Sequence, residues 1–183
     1  MKPIFWAVVV LVSLGLTGCR QQSQVISIIT GENLLQNPSF EENDKSSGRF
    51  WSIHNFPGFQ FAKDTPPDGG TWSLSLTSDW TPPSVYASQT IATPPGIRDF
   101  RLTFWVKNEF GGNAVIIRGI FADTTQTVAS LTTEPNKVWK AYTLTFQIPL
   151  PAPDSLRVEL WAAPTELQRI ITLYDLITLE PIQ

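Results

Sequence analysis

Phe100-Arg101-Leu102-Thr103-Phe104-Trp105-Val106-Lys107 sets Leu102, Phe104 and Val106 in alternation with Thr103, Trp105 and Lys107. A period of two sends successive side chains to opposite faces of an extended chain, so this stretch reads as a strand with one face on a core. The same period returns further along. Val115, Ile117, Gly119 and Phe121 alternate with Ile116, Arg118 and Ile120; Tyr142, Leu144, Phe146 and Ile148 alternate with Thr143, Thr145 and Gln147. Leu156, Val158 and Leu160 alternate with Arg157, Glu159 and Trp161. Phe50–Phe56, Trp72–Thr77, Val85–Ile91 and Ile170–Leu179 are further strand candidates. Between them stand turn signals: Pro66-Pro67-Asp68-Gly69-Gly70, Pro94-Pro95-Gly96, Gly111-Gly112-Asn113 and the prolines from Pro149 to Pro153. No window carries a long helical stripe, and only Pro164–Gln168 has room for a single helical turn. About eight or nine short strands at regular spacing predict an all-β chain folded as an antiparallel β-sandwich. Phe104, Val106, Ile117, Phe121, Leu144, Phe146, Val158 and Leu160 are expected to share its core.

Composition narrows the partners. The 183 residues carry a formal charge of −3 with no Lys/Arg cluster, so the basic footprint of a nucleic-acid binder is missing. Charged residues make up only 16%, against 15 prolines and 7 tryptophans, which favours short strands joined by rigid loops over helices.

The amino terminus sets the compartment. Lys2 precedes an apolar run from Ile4 to Leu16, about thirteen residues, the length of a signal-peptide apolar region and too short to span a bilayer. Leu16-Thr17-Gly18-Cys19 closes it, and Cys19 is the only cysteine. This segment resembles the recognition sequence of bacterial lipoproteins. The resemblance implies a signal at residues 1–18, cleavage before Cys19, lipidation of its thiol, and a polar spacer over 19–32 that includes the patch Val25–Ile29. The alternative is an ordinary secretory signal with an incidental cysteine; both readings export the domain. No later segment approaches the roughly 20 apolar residues of a spanning helix, so the lipid is the expected attachment, to a bacterial membrane of the cell envelope. About 160 residues then remain, enough for one domain over 33–183 with a sizeable core and no disulfide.

Three segments of that domain resemble one family. Asn33-Leu34-Leu35-Gln36-Asn37-Pro38-Ser39-Phe40-Glu41 is similar to the opening motif of family 4, 9, 16 and 22 carbohydrate-binding modules. Pro94-Pro95-Gly96 followed by Phe100–Lys107 resembles their proline-glycine turn and central strand, and Val138–Phe146 resembles the strand after it. Asp175-Leu176-Ile177-Thr178-Leu179 is similar to a degraded terminal motif, with Leu176 where the second aspartate stands; Pro38 replaces the usual glycine. The resemblance implies a jelly-roll sandwich of the galactose-binding type and a polysaccharide or oligosaccharide as partner. It also implies a structural calcium ion joining the first strand to the last, held by Glu41, the carbonyl of Ser39, Asp175 and an oxygen from the Asp64–Gly70 loop, most simply Asp68. Independently, Asp175 shares parity with Ile177 and Leu179, which points its carboxylate inward, where it is costly unless paired or bound to metal. The alternative places Asp175 at the sheet edge in solvent.

Catalysis finds little support. His54 is the one histidine, on a predicted strand beside aromatics, and reads as a packed or surface residue. No His/Cys metal spacing, Gly-x-Ser-x-Gly motif or phosphate loop occurs. Sugar rings present flat C–H faces that stack on Trp or Tyr, while their hydroxyls need polar partners. Trp105 and Trp161 fall on the polar phase of their strands with Lys107, Arg118, Arg157 and Glu159, so the expected glycan site joins Trp105 and Trp161 as stacking surfaces with Arg118 and Glu159 as hydroxyl partners. If loops or the second sheet cover that face, both tryptophans are core. Trp139 reads as packing, and Trp51, Trp80 and Tyr86 as residues of a possible rim. Two functions follow: a non-catalytic carbohydrate-binding lipoprotein, or a structural or protein-interaction sandwich that keeps the fold without the site.

Overall fold

The computed structural model of the chain describes residues 31–55, 58–78, 84–163 and 169–182. Cys19, the patch Val25–Ile29, Trp80 and Pro164–Gln168 lie outside them. Twelve strands run through the described residues, with no helix among them. They are β1 (Glu41–Glu42), β2 (Lys45–Ser46), β3 (Ser52–His54), β4 (Phe59–Ala62), β5 (Ser73–Ser78), β6 (Val85–Ala92), β7 (Asp99–Asn108), β8 (Asn113–Ile120), β9 (Thr125–Thr132), β10 (Asn136–Gln147), β11 (Ser155–Ala162) and β12 (Ile170–Ile182).

Two five-stranded antiparallel sheets pack face to face. Sheet I has the order β10-β7-β12-β5-β4 and sheet II the order β3-β6-β11-β8-β9, while β1 and β2 form a separate hairpin. The opening octapeptide lies in β7, between β10 and β12 of sheet I. Its Phe100, Leu102, Phe104 and Val106 are fully buried and meet Leu156, Val158 and Leu160 of β11, equally buried, in one cluster. Each such side chain contributes roughly 1.5–3 kcal/mol relative to exposure. The register on both sides of β7 preserves the alternation: Tyr142 stands opposite Phe104, and Leu179 opposite Leu102.

The expected sandwich is therefore present, with differences in detail. Phe121 does not join the core. β8 ends at Ile120, and the Phe121 amide donates to the Thr124 carbonyl in a tight turn, leaving the ring half-buried. Leu144 packs against the core from a half-buried position, because β10 is an edge strand. β9 shows no clean alternation because the register slips between Ile117 and Arg118; Val128 is the extra residue, so the adjacent Val128 and Ala129 both pack on the core. β4 is only four residues long, and the β1–β2 hairpin offers too few residues for a period to show.

The parity argument for Asp175 also changes. Asp175 is opposite Trp105, on the outer face of sheet I, while Tyr174 beside it faces the core. A bulge then intervenes between Asp175 and Thr178, with Leu176 at φ 50°, and this resets the alternation so that Ile177 and Leu179 face inward. An added residue in one strand of a pair does this by construction. Asp175 is fully buried all the same, because a loop covers it.

Candidate functional site

Part of the outer face of sheet I is covered by the segment between β4 and β5, residues 63–72. β4 is the far edge of this sheet, yet Asp64 reaches back to β7 and β10. Lys107 Nζ lies 2.6 Å from Asp64 Oδ2, and Trp139 Nε1 donates to Asp64 Oδ1 at 2.8 Å. Burial alone would raise the Asp64 carboxyl, but these two hydrogen bonds and the lysine charge hold it below the ordinary carboxylate value. Beneath the segment, Ser73, Ser75 and Thr77 of β5 are buried although they point away from the core. Trp105 belongs to this covered side.

Two carboxylates meet under the same segment. Glu41 Oε1 accepts the backbone N–H groups of Thr71 and Trp72. Asp175 Oδ1 accepts the Leu176 amide at 2.8 Å, whereas its Oδ2 is buried with no hydrogen-bond partner. Burial, with the Glu41 charge adding to it, pushes the Asp175 carboxyl up to about 8. Gly69 and Gly70 close the gap between them: a Cβ at Gly69 would lie 2.5 Å from Asp175 Oδ2, and one at Gly70, where φ is 72°, would lie 2.6 Å from Glu41 Oε1. The amino-terminal segment is tied to the same place. The Ile177 amide donates to the Pro38 carbonyl, and Asn33 bonds both Ile177 and Leu179 through its side chain. Ser39 lies in the turn between Pro38 and Glu41. Asp68 does not join; it is exposed at φ 64° in a turn closed by the Gly69 amide and the Pro66 carbonyl. Among the described residues no group of three or more acidic, histidine or cysteine side chains gathers. A buried, unpartnered carboxylate oxygen beside a second carboxylate suits a hard divalent cation, with carbonyls completing the shell.

The outer face of sheet II is different. His54 of β3, Tyr86 of β6 and Trp161 of β11 are in register on neighbouring strands. Their rings stack in sequence, with centroids 4.1 Å apart for His54–Tyr86 and 4.2 Å for Tyr86–Trp161, and interplanar angles of 8° and 14°. His54 Nε2 is 3.1 Å from Ser88 Oγ, which fixes the outer ring. Tyr86 covers one side of the Trp161 indole. The other side turns toward β8, whose residue in register is Ala114, and a methyl group leaves room above it.

Charge is organised beside the ladder. Glu159 is buried and accepts from Arg157 Nε at 2.8 Å, Arg118 Nε at 3.3 Å and Trp161 Nε1 at 3.0 Å. Arg118 also donates through its terminal nitrogen to Thr127 Oγ1. The carboxylate thus fixes the plane of the indole and the positions of two guanidinium groups. Its side chain is 2% exposed and saturated by protein donors, so Glu159 orients the site and is not itself a hydroxyl partner.

Trp161, Arg118 and Glu159 are therefore brought together, and Trp105 is not. It has the outward phase expected of it, but it stands half-buried on the opposite side of the sandwich, across from Asp175. Phase reports which side of its own sheet a residue occupies; it carries nothing about which sheet the strand joins. Trp51 is core, 6% exposed against Phe40, rather than rim. His54 and Tyr86 take the place expected of Trp105. The alternation Tyr86, Ser88, Thr90 against Val85, Ala87, Gln89 carried the phase of Tyr86, but nothing local joined it to His54.

No family model matches the chain, and no curated protein matches it. Solved structures do. The enzymatically active domain of tailspike protein 4 of bacteriophage CBA120 matches with a TM-score of 0.64 at 19% identity over 82% of this chain, which spans only 21% of that one. The family 16 carbohydrate-binding module-2 matches with a TM-score of 0.59 at 19% identity, over 80% of this chain and 99% of that one. TmCBM61, solved in complex with beta-1,4-galactotriose, gives 0.56 at 17% identity over 82% and 99%. The chain has the jelly-roll fold of carbohydrate-binding modules. At these identities the likeness speaks for the fold, and the site rests on its own residues.

Proposed function

We propose that this chain is a non-catalytic glycan-binding module of the bacterial cell envelope, exported and anchored through a lipid on Cys19, with its binding surface on the outer face of sheet II. The observation that carries the reading is the His54–Tyr86–Trp161 ladder, half-buried on the outer face of sheet II, its last indole held by Glu159 and facing the small Ala114. A sugar ring set against that indole would rest on β8 and β9, where Thr132 and Ser130 supply hydroxyls in register with Ala114 and Ile116. From Trp161 to Arg157 is four residues of strand, about 13 Å, so the surface suits an oligosaccharide lying along β11 more than a single sugar. The jelly-roll fold shared with modules that bind sugars supports the same reading.

Calcium is proposed as a structural ion on the other side of the sandwich, held by Glu41 and Asp175 with the Ser39 carbonyl. Its chemistry there is to neutralise the buried Asp175 carboxylate and the half-buried Glu41 beside it, and to fasten the amino-terminal hairpin to β12.

The decisive test is a glycan-array or affinity-electrophoresis screen of the wild-type domain beside Trp161→Ala. Binding that Trp161→Ala loses is the expected result; binding that survives unchanged, or none at all, overturns the assignment. For the anchor, Cys19→Ser should move the protein from the membrane to the soluble fraction, and continued membrane association with unchanged mass would refute it.

A further inference from the structure

Resting on that reading, we infer that the glycan this face selects is anionic, carrying uronate carboxylates or sulfate esters that dock on Arg157 and Arg118. Among the described residues, the formally charged side chains on the outer face of sheet II are Arg157, Arg118 and Glu159; the ladder's His54 is the remaining titratable group besides Tyr86, and Asp123 and Asp154 stand in turns at the strand ends. Two guanidinium groups against one carboxylate leave a net positive charge, on a chain whose overall formal charge is −3. Neutral hydroxyls can accept from a guanidinium group but do not balance its charge, so the excess favours an anionic partner.

The way the arginines are held sharpens the point. Both give Nε to Glu159, which directs their terminal nitrogens away from it. Arg118 spends one of these on Thr127, whereas Arg157 makes its one hydrogen bond to the described residues through Nε. Its outer edge is thus a planar pair of donors, the geometry that engages a carboxylate or a sulfate through two parallel bonds. The Glu159 charge is already paired with both guanidinium groups, and both arginine side chains keep about a third of their surface open, at 32% and 29%. Arg157 lies on the same strand as Trp161, and Arg118 is in register with it on β8, so one oligosaccharide can stack at one end and be charge-paired at the other.

The test uses the full domain with two backbone-matched sets: polygalacturonate with its carboxyl-reduced form, and β-glucan with its C6-oxidised and its sulfated derivatives. Wild type should bind at least one acidic form ten or more times more tightly than its neutral parent, and raising the salt concentration should erase the difference. Whether the oxidised or the sulfated derivative carries the preference assigns the anion. Arg157→Gln should weaken acidic binding more than neutral binding, so that the preference falls, and Arg157→Lys should keep part of it. The wild-type comparison stands even if a variant folds poorly. Equal affinity for acidic and neutral members, with loss of both in Trp161→Ala, overturns this inference and leaves the glycan reading intact. Retention of no polysaccharide overturns both.

Discussion

The two outer faces of this sandwich begin from the same pattern and end as opposites. Each carries an outward tryptophan on an interior strand, Trp105 on β7 and Trp161 on β11, with charged residues in phase. On sheet I the strand neighbours are crossed by residues 63–72, which Asp64 fastens to Lys107 and Trp139, and the polar side chains below lose solvent. On sheet II the outward side chains organise one another instead, ring on ring and guanidinium on carboxylate. A single connection, from β4 to β5, decides which face becomes structural and which stays available. Alternation along a strand cannot encode that choice, because it is made by where a loop runs.

The largest effect that would test this division lies on the covered face. If calcium holds Glu41 and Asp175 together, saturating the wild-type domain at about a thousand times Kd should add about 4 kcal/mol. For a domain of this size that is a rise of roughly 8–16 °C in melting temperature. Asp175→Asn should flatten the response to chelator, and an unchanged midpoint for wild type with and without chelator would remove the ion from the account. Gly70→Ala comes next. Its φ of 72° and a Cβ 2.6 Å from Glu41 Oε1 leave no comfortable place for a methyl group. The cost should be about 2 kcal/mol or more, read by denaturant unfolding, with glycan binding unaltered. A change in affinity alone would mean that the two faces are coupled.

Trp161→Ala and Trp105→Ala separate the faces directly. Removing the Trp161 ring should weaken glycan binding tenfold or more, about 1.4 kcal/mol, and loosen the position of Arg118 and Arg157 around Glu159. Removing Trp105 should cost stability and leave affinity within a factor of two. Isothermal titration of both variants beside wild type checks this, and a loss of affinity in Trp105→Ala would break the comparison.

Much of this was legible in the chain. The Phe100–Lys107 alternation placed an interior strand of sheet I, and the period-two runs around Ile117, Phe146 and Val158 placed strands that share its core. The pairing of Glu41 with Asp175 was also within reach, because Asn33–Glu41 and Asp175–Leu179 carry a recognisable motif, and the structure brings their carboxylates under one loop. What stayed hidden depended on contacts across sheets. Trp105 and Trp161 have the same local phase, and only strand order parts them. The His54–Tyr86–Trp161 ladder joins residues from three strands, with no spacing rule linking them. The Leu176 bulge reverses parity at the residue whose burial mattered most, so Asp175 is buried for a reason other than the one its alternation with Ile177 implies.

The smallest effect concerns the clasp that makes the faces differ. Asp64 has its carboxyl held below the ordinary value, with Lys107 and Trp139 as donors, and both members of the ion pair are partly exposed. A carboxylate of depressed pKa adds stability that is present above its unfolded value, about 3.9, and is lost as pH falls through the lower folded value. Exposure limits the amount, since solvent screens such a pair to under about 1 kcal/mol. Asp64→Asn should therefore be slightly less stable than wild type at neutral pH, and the gap should close as the pH drops below about 4. Hydrogen exchange gives the more telling readout. Loosening the clasp should speed exchange of the amides in residues 63–72 and of Ser73 and Ser75 beneath them, with no change at β11 or β6. Equal acceleration on both sheets would mean that Asp64 supports the sandwich as a whole rather than the cover over one side of it.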